Sequence, residues 1–303
     1  MPLLDVVLGY DCNLACDYCT ITPEMRRRAM TPERVAREID RAAARGFRDI
    51  AFTGGEPTIR PDLPALVKHA RRRGFEHVKV ASNGLRYAHA LYLDHLVACG
   101  VDRFNVSLHA FEDEAYDRTV HLSGAAPLRR AALANLVARG LDPVADLILK
   151  EDTYRHLPEW IDSLLHAGLR RFALWLVSLT DHNAPHTHQL PRLTEITPFV
   201  VRAFDAARRG GHEVVALHVP RCFVPGHEDH VRHPGADLVT VVTPDEVFDL
   251  RDSRLGGGVK PAGCTGCTFA DRCPGLRRDY VDRFGGEEVH AVPPPPPPPA
   301  SLS

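Results

Sequence analysis

Short apolar runs alternate with helical stretches from residue 4 to about 180, and this alternation restricts the fold more than any other property of the chain. The expected strands are Leu4 to Gly9, Asp49 to Thr53, His77 to Ala81, Arg103 to Ser107, Val144 to Leu149 and Phe172 to Ser178. Helix signals fill the gaps: Thr31 stands as a cap, Pro32 falls in the first turn, and Val35 and Ile39 share one face. Successive β/α units in one sheet are joined by right-handed crossovers, so six of them predict a parallel α/β sheet. Eight strands close a barrel; six leave a partial (β/α)6 barrel with its active face at the C-terminal strand ends.

Beyond Pro191 a helix from about Thr197 to Arg209 leads into a strand, Glu213 to Val219, and then the pattern changes. Loop-rich sequence carries two more short strands, Leu238 to Val242 and Glu246 to Leu250, around four cysteines. Seven consecutive prolines, Pro293 to Pro299, cannot pack into a core and predict an extended polyproline tail. The expected division is a core over 1–195, a connecting helix over 196–212, a small cysteine-rich α+β domain over 213–290 and a disordered tail over 291–303. A chain of 303 residues, 44% hydrophobic, is ample for a buried core. Its net charge of −2 gives no basic excess, which argues against nucleic acid or an acidic membrane surface as partner. Only four of the 37 Lys and Arg residues are lysines, a bias that reads as codon composition. No apolar stretch reaches the ~18 to 20 residues of a membrane span, and MPLLDVVLGY is not a signal peptide, so a cytoplasmic location is expected. Eight cysteines in that reducing compartment speak for metal or catalysis over disulfides. Cys99, at the end of helical LYLDHLVAC, is the exception and reads as a small buried hydrophobe.

Cys12, Cys16 and Cys19 follow the first strand as C-x3-C-x2-C. Three thiolates on one loop suit a four-iron cubane, which takes four ligands and is left with one iron open for a small molecule. The same thiolates with a distant fourth ligand would make a zinc knuckle, and the spacing does not separate the two. In DIAFTGGEPTIRPD the second strand runs into Gly54, Gly55, Glu56 and Pro57. Two glycines at a strand end let backbone approach a ligand closely, and the carboxylate can accept hydrogen bonds from an ammonium group.

In this order, C-x3-C-x-aromatic-C after a first strand and GGEP after a second resemble the radical S-adenosylmethionine (radical SAM) superfamily. The resemblance implies a 4Fe-4S cluster on Cys12, Cys16 and Cys19 whose open iron is chelated by the amino and carboxylate groups of SAM. It also implies an electron donor such as flavodoxin or ferredoxin, and cleavage of SAM to methionine and a 5′-deoxyadenosyl radical. By the same resemblance Tyr18 lies near the adenine, and Gly55 and Glu56, with Gly54 beside them, meet the methionine end. Ser82 and Asn83 at the third strand end and Ser107 at the fourth would touch the ribose or carboxylate. Taken alone, Ser82-Asn83-Gly84 reads as a turn and Ser107 as a strand cap.

A second set, Cys264, Cys267 and Cys273, is spaced C-x2-C-x5-C, with Cys222 upstream. Four thiolates can ligate a cluster fully, or leave an iron open if Cys222 points elsewhere; a zinc ribbon uses a similar pattern. The run resembles the twitch domain, a shortened SPASM domain behind many radical SAM cores, and so implies one auxiliary 4Fe-4S cluster, since no cysteine follows Cys273. The candidates to meet substrate are His109 after the fourth strand, Lys150 at the end of the fifth, and His182 of the group His182, His186 and His188. In a related GTP cyclase of molybdenum-cofactor synthesis a lysine at a similar place meets nucleotide phosphate. Here Lys150 reads equally as an anion binder or a solvated strand end, and His227, His230 and His233 as a solvated group. The cyclase activity itself is disfavoured by the short auxiliary spacing and the lack of a C-terminal Gly-Gly. Eleven residues ahead of Cys12 leave no room for a peptide-recognition domain, so a small substrate (sugar, nucleoside or amino-acid derivative) is expected, with a ribosomal precursor peptide as alternative. A zinc-stabilised scaffold is the reading from another class.

Overall fold

Each apolar run becomes a strand close to its expected bounds in the computed structural model, which describes residues 2–233, 238–253 and 258–294. The strands are β1 (Leu3–Val7), β2 (Asp49–Thr53), β3 (His77–Ser82), β4 (Arg103–Leu108), β5 (Val144–Leu149), β6 (Arg171–Leu176), β7 (Glu213–Leu217), β8 (Val231–Arg232), β9 (Val239–Val242) and β10 (Val247–Asp249). The helices are α1 (Pro32–Ala44), α2 (Leu63–Arg72), α3 (Ala90–Cys99), α4 (Asp113–Val120), α5 (Ala125–Ala138), α6 (Leu157–His166), α7 (Leu193–Gly210) and α8 (Arg278–Phe284). Thr31 caps α1 as expected, its hydroxyl accepting from the Arg34 amide, with Pro32 in the first turn. The α7 helix starts earlier than Thr197 because its apolar stripe does, at Leu193 and Ile196, continuing through Val200 and Phe204.

One ten-stranded sheet results, in the order β10-β9-β1-β2-β3-β4-β5-β6-β7-β8, parallel throughout except for β10 against β9. Its two edges are different strands, so the barrel is partial, as the count of units predicts. The strand expected to open the C-terminal domain, β7, pairs in parallel with β6, from Arg171 opposite Glu213 to Trp175 opposite Leu217. On the far side β9 pairs with β1, Leu3 opposite Val239. An edge strand exposes unpaired amides and carbonyls, and these later strands cover both edges of the core. The cysteine-rich segment is also fastened to β6: Arg277 donates to the Leu176 and Val177 carbonyls, and Asp279 accepts from the Leu179 amide (2.8 Å).

Side chains alternate in two directions along the strands. Val78, Val80, Phe104 and Val106 pack outward under the helices, whereas Lys79, Ala81, Asn105 and Ser107 turn into the barrel. Cys99 ends α3 as a buried hydrophobe, and Gly100 after it takes the left-handed conformation (φ 116°). No helix among the described residues is long and apolar enough to cross a membrane. Of the predicted tail, residues 295–303 lie outside the described residues.

Candidate active site at the C-terminal strand ends

The cysteine loop leaves β1 and lies directly on the Gly54-Gly55 turn that leaves β2. The Gly55 amide donates to the Gly9 carbonyl (2.9 Å) and the Glu56 amide to the Asp11 carbonyl (2.8 Å). A Cβ at Gly54 (φ +124°) would sit 2.3 Å from the Gly9 oxygen, and one at Gly55 2.1 Å from the Asp11 oxygen. The glycines are therefore required by the approach of the cysteine loop itself, where sequence alone suggested the approach of a ligand. Arg26 fastens the same loop from beyond it, donating to the Cys12 (3.2 Å) and Leu14 (2.8 Å) carbonyls.

Cys12, Cys16 and Cys19, all free thiols, border a cavity of about 190 Å³. Tyr18, Gly54, Gly55, Ser82, Asn83 and Ser107, the residues expected to meet SAM, line it too, with His109. Glu56 does not. Its carboxylate is 2% exposed and accepts from the Thr58 amide and hydroxyl, the Ser82 hydroxyl and the Asn83 amide, so it locks the β2 turn to the end of β3. The reason is local: Pro57 starts a helical turn, and Glu56 serves as its cap. Asn83 also reaches the loop, donating to the Asn13 side chain (2.8 Å).

At Cys12 and Cys16 burial favours the neutral thiol. Burial, then the nearby Cys19 and Cys12, raises the Cys16 pKa far above the ordinary thiol value. Such thiols ionise when a metal replaces the proton, so the donor set fits a cluster. Among the described residues no three His, Cys, Asp or Glu side chains converge as the ligands of a single ion do. The cysteines of a cubane each bind a different iron and stand apart.

The three sequence candidates for substrate contact fall in three different places. His109 is buried, and burial lowers its pKa to about 3, with Lys150 and Arg129 adding to the effect. One ring nitrogen pairs with the Tyr18 hydroxyl and the other, Nε2, is buried without a partner. Lys150 is neither a solvated strand end nor a free anion binder. It is 1% exposed, and its ammonium lies 3.0 Å and 3.1 Å from the two oxygens of Asp17, tying β5 to the cysteine loop. His182 is exposed on a turn where its amide donates to the Thr20 carbonyl (3.1 Å), outside both the cysteine cavity and the barrel interior. The group His227, His230 and His233 is not solvated either: His230 stacks on Phe204 (4.5 Å), and His227 and His233 are buried.

Beneath the cysteine cavity the barrel encloses about 1,530 Å³. Polar side chains from seven strands line it, and the sequence reading missed them. Asp146 accepts from both Asn105 (3.1 Å) and the Trp175 indole (3.2 Å); burial raises its pKa to about 6 against the lowering by these bonds. Asp5 accepts from the Thr53 hydroxyl (2.6 Å), and burial raises its pKa as well. Lys79 stands between them on β3. The signal was present as single charged residues inside apolar strands, LLDVV, HVKVA and VADLIL.

The second cysteine set shares one pocket. Cys222, from the turn after β7, lines one small pocket with Cys264, Cys267 and Cys273, and all four are free. Burial, with Cys273 and Cys264 close by, raises the Cys222 pKa to about 11. A Cβ at Gly263 would lie 2.1 Å from the Val289 oxygen, so the cysteine turn packs tightly on the chain that follows α8. Four thiols around one pocket fit a fully ligated cluster.

A partial parallel barrel whose first strand feeds a three-thiol loop defines a class of radical enzymes. Residues 6–150 match the Radical SAM superfamily, so this segment of the chain is a radical SAM domain. The cofactors of such a domain are a 4Fe-4S cluster and SAM; Cys12, Cys16 and Cys19 are the thiols that fit the cluster. The chain is 30% identical over 162 residues to a probable GTP 3′,8-cyclase of Thermoplasma volcanium, covering 52% of this chain and 49% of that protein. It is 30% identical over 166 residues to a PqqA peptide cyclase of Ruegeria pomeroyi, covering 54% and 44%. The chain thus spans about half the length of the curated relatives it matches. Similar solved structures are Streptococcus suis SuiB bound to S-adenosylmethionine (TM-score 0.68, 13% identity, 96% of this chain and 76% of that one) and anSMEcpe with bound AdoMet and Kp18Cys peptide (TM-score 0.66, 16% identity, 96% and 93%). These share the fold across the cysteine-rich C-terminal segment as well as the core.

Proposed function

We propose that this chain cleaves SAM reductively and abstracts hydrogen from a peptide segment held in the barrel interior. The interior carries the reading: about 1,530 Å³ exceeds the roughly 300 to 1,000 Å³ of small-ligand pockets and suits a length of peptide. Same-face residues on a strand are about 6.6 Å apart, so Lys79 and Asn105 lie one such step below Ala81 and Ser107 of the cysteine cavity. The 30% identity to a PqqA peptide cyclase supports a peptide. The equal identity to GTP 3′,8-cyclases supports a second reading, a small molecule such as a nucleotide in the same interior.

When bound, the cluster supplies the electron that splits SAM into methionine and a 5′-deoxyadenosyl radical. The chain's own part is to hold and shield. Cys12, Cys16 and Cys19 would bind the cluster, and Arg26 and the Lys150–Asp17 pair keep their loop in place. Tyr18, Gly54, Gly55, Ser82, Asn83 and Ser107 would surround SAM. Cys222, Cys264, Cys267 and Cys273 would hold the auxiliary cluster. The electron donor would be a one-electron protein such as flavodoxin or ferredoxin.

Anaerobically prepared protein is expected to carry about eight irons in two clusters and to form 5′-deoxyadenosine from SAM and dithionite. Zinc without iron, or 5′-deoxyadenosine formed after all of Cys12, Cys16 and Cys19 become Ala, would overturn the reading. Deuterium transfer into 5′-deoxyadenosine from deuterated peptides, compared with deuterated GTP, decides between the two substrates.

A further inference from the structure

Lys79 occupies an unusual position. It projects into the barrel from the middle of β3, one same-face step below the Ala81 of the cysteine cavity. Its ammonium makes no hydrogen bond or ion pair among the described residues. Three of the cations that line the same interior are paired: Arg103 with Asp49, Arg171 with Glu213, Arg277 with Asp279. Asp5 and Asp146 act on Lys79 only at electrostatic range, because the first accepts from Thr53 and the second from Asn105 and Trp175.

A lysine on an inward strand face costs side-chain entropy and hydration, and a purely structural role would recover these through an ion pair. That pair is not made here. An incoming anion would make it.

Resting on the peptide reading above, we infer that Lys79 is a specificity-determining residue that receives a carboxylate side chain, Asp or Glu, of the substrate peptide. Charge count selects carboxylate over phosphate. A dianionic phosphate at Lys79 would face two carboxyl groups, Asp5 and Asp146, with one cation between them, whereas a single negative charge meets half that repulsion.

Trp175 provides a reporter, since it lies in the barrel wall and the only other tryptophan, Trp160, is buried in α6. Holoenzyme would be titrated with the tripeptide Ala-Glu-Ala, its Ala-Gln-Ala twin and inorganic pyrophosphate while Trp175 emission is followed. The glutamyl peptide is expected to saturate the signal at least about tenfold more tightly than its twin, and Lys79→Gln to remove that preference. Asp146→Asn, by deleting a competing negative charge, is expected to tighten glutamyl binding several-fold, which tests the same idea should the Lys79 variant not fold. Equal binding of the two peptides, or a preference that survives Lys79→Gln, overturns the inference. So does pyrophosphate binding more tightly than the glutamyl peptide. Formation of 5′-deoxyadenosine by the unmodified chain is scored separately, so failure of the parent reading and failure of this one are told apart.

Discussion

Replacing Asp146 with Asn should stabilise the protein above neutral pH and leave it nearly unchanged in mild acid. In the fold the carboxyl has a pKa of about 6, raised by burial from an ordinary 3.8. Below the ordinary value it is neutral folded or unfolded, and nothing is lost. As pH rises the unfolded chain ionises first while the fold retains its proton, so stability falls, and above about pH 6 the full cost of about 3 kcal/mol is in place. Asparagine never pays that cost. It does lose something else, because its new amide stands where Asn105 now donates, at 3.2 Å, and the clash costs about 1 kcal/mol unless Asn105 flips. Near about pH 4.5 the two effects cancel; near about pH 7.5 the variant should be about 2 kcal/mol more stable, a rise in Tm of roughly 4 °C. Anaerobic thermal unfolding of both proteins across this range is the assay. A stability difference that stays constant from acid to neutral pH would show that Asp146 does not change charge there, and the account of the barrel interior would be wrong.

Gly55→Ala places a methyl 2.1 Å from the Asp11 oxygen; it should cost about 1 to 3 kcal/mol, displace the cysteine loop and lower iron content, and full iron loading would refute this. Lys150→Met leaves Asp17 without its cation. With Asp17 one-third exposed, a loss of about 2 kcal/mol is expected, together with faster iron release to a chelator, both partly reversed by adding Asp17→Asn. Cys273→Ser should halve the iron, from about eight to about four per chain, while SAM binding measured by equilibrium dialysis persists; loss of all iron would refute two separate sites.

The alternating apolar runs made the first six strands legible, because period-two burial and β/α spacing are local properties of sequence. The cysteine spacings were legible for the same reason: a short loop keeps its thiols together whatever surrounds it. What could not be read was pairing at long range. Leu3 meets Val239 and Trp175 meets Leu217 through sheet edges that no local pattern marks. Glu56 looks like a free carboxylate after two glycines in the sequence; its partners Thr58, Ser82 and Asn83 are brought to it only by the fold. Lys150 and Lys79 look alike on paper, each a lysine in or beside a strand, and only the direction of the side chain gives one an Asp17 partner and leaves the other facing the interior.

The unclosed sheet has a consequence for what can be processed. A sealed cylinder admits a polymer only by its tip, end first. On the peptide reading proposed above, a trough with β8 and β10 as separate banks would accept a strand laid in sideways, bringing an interior position of a long polymer within reach without threading.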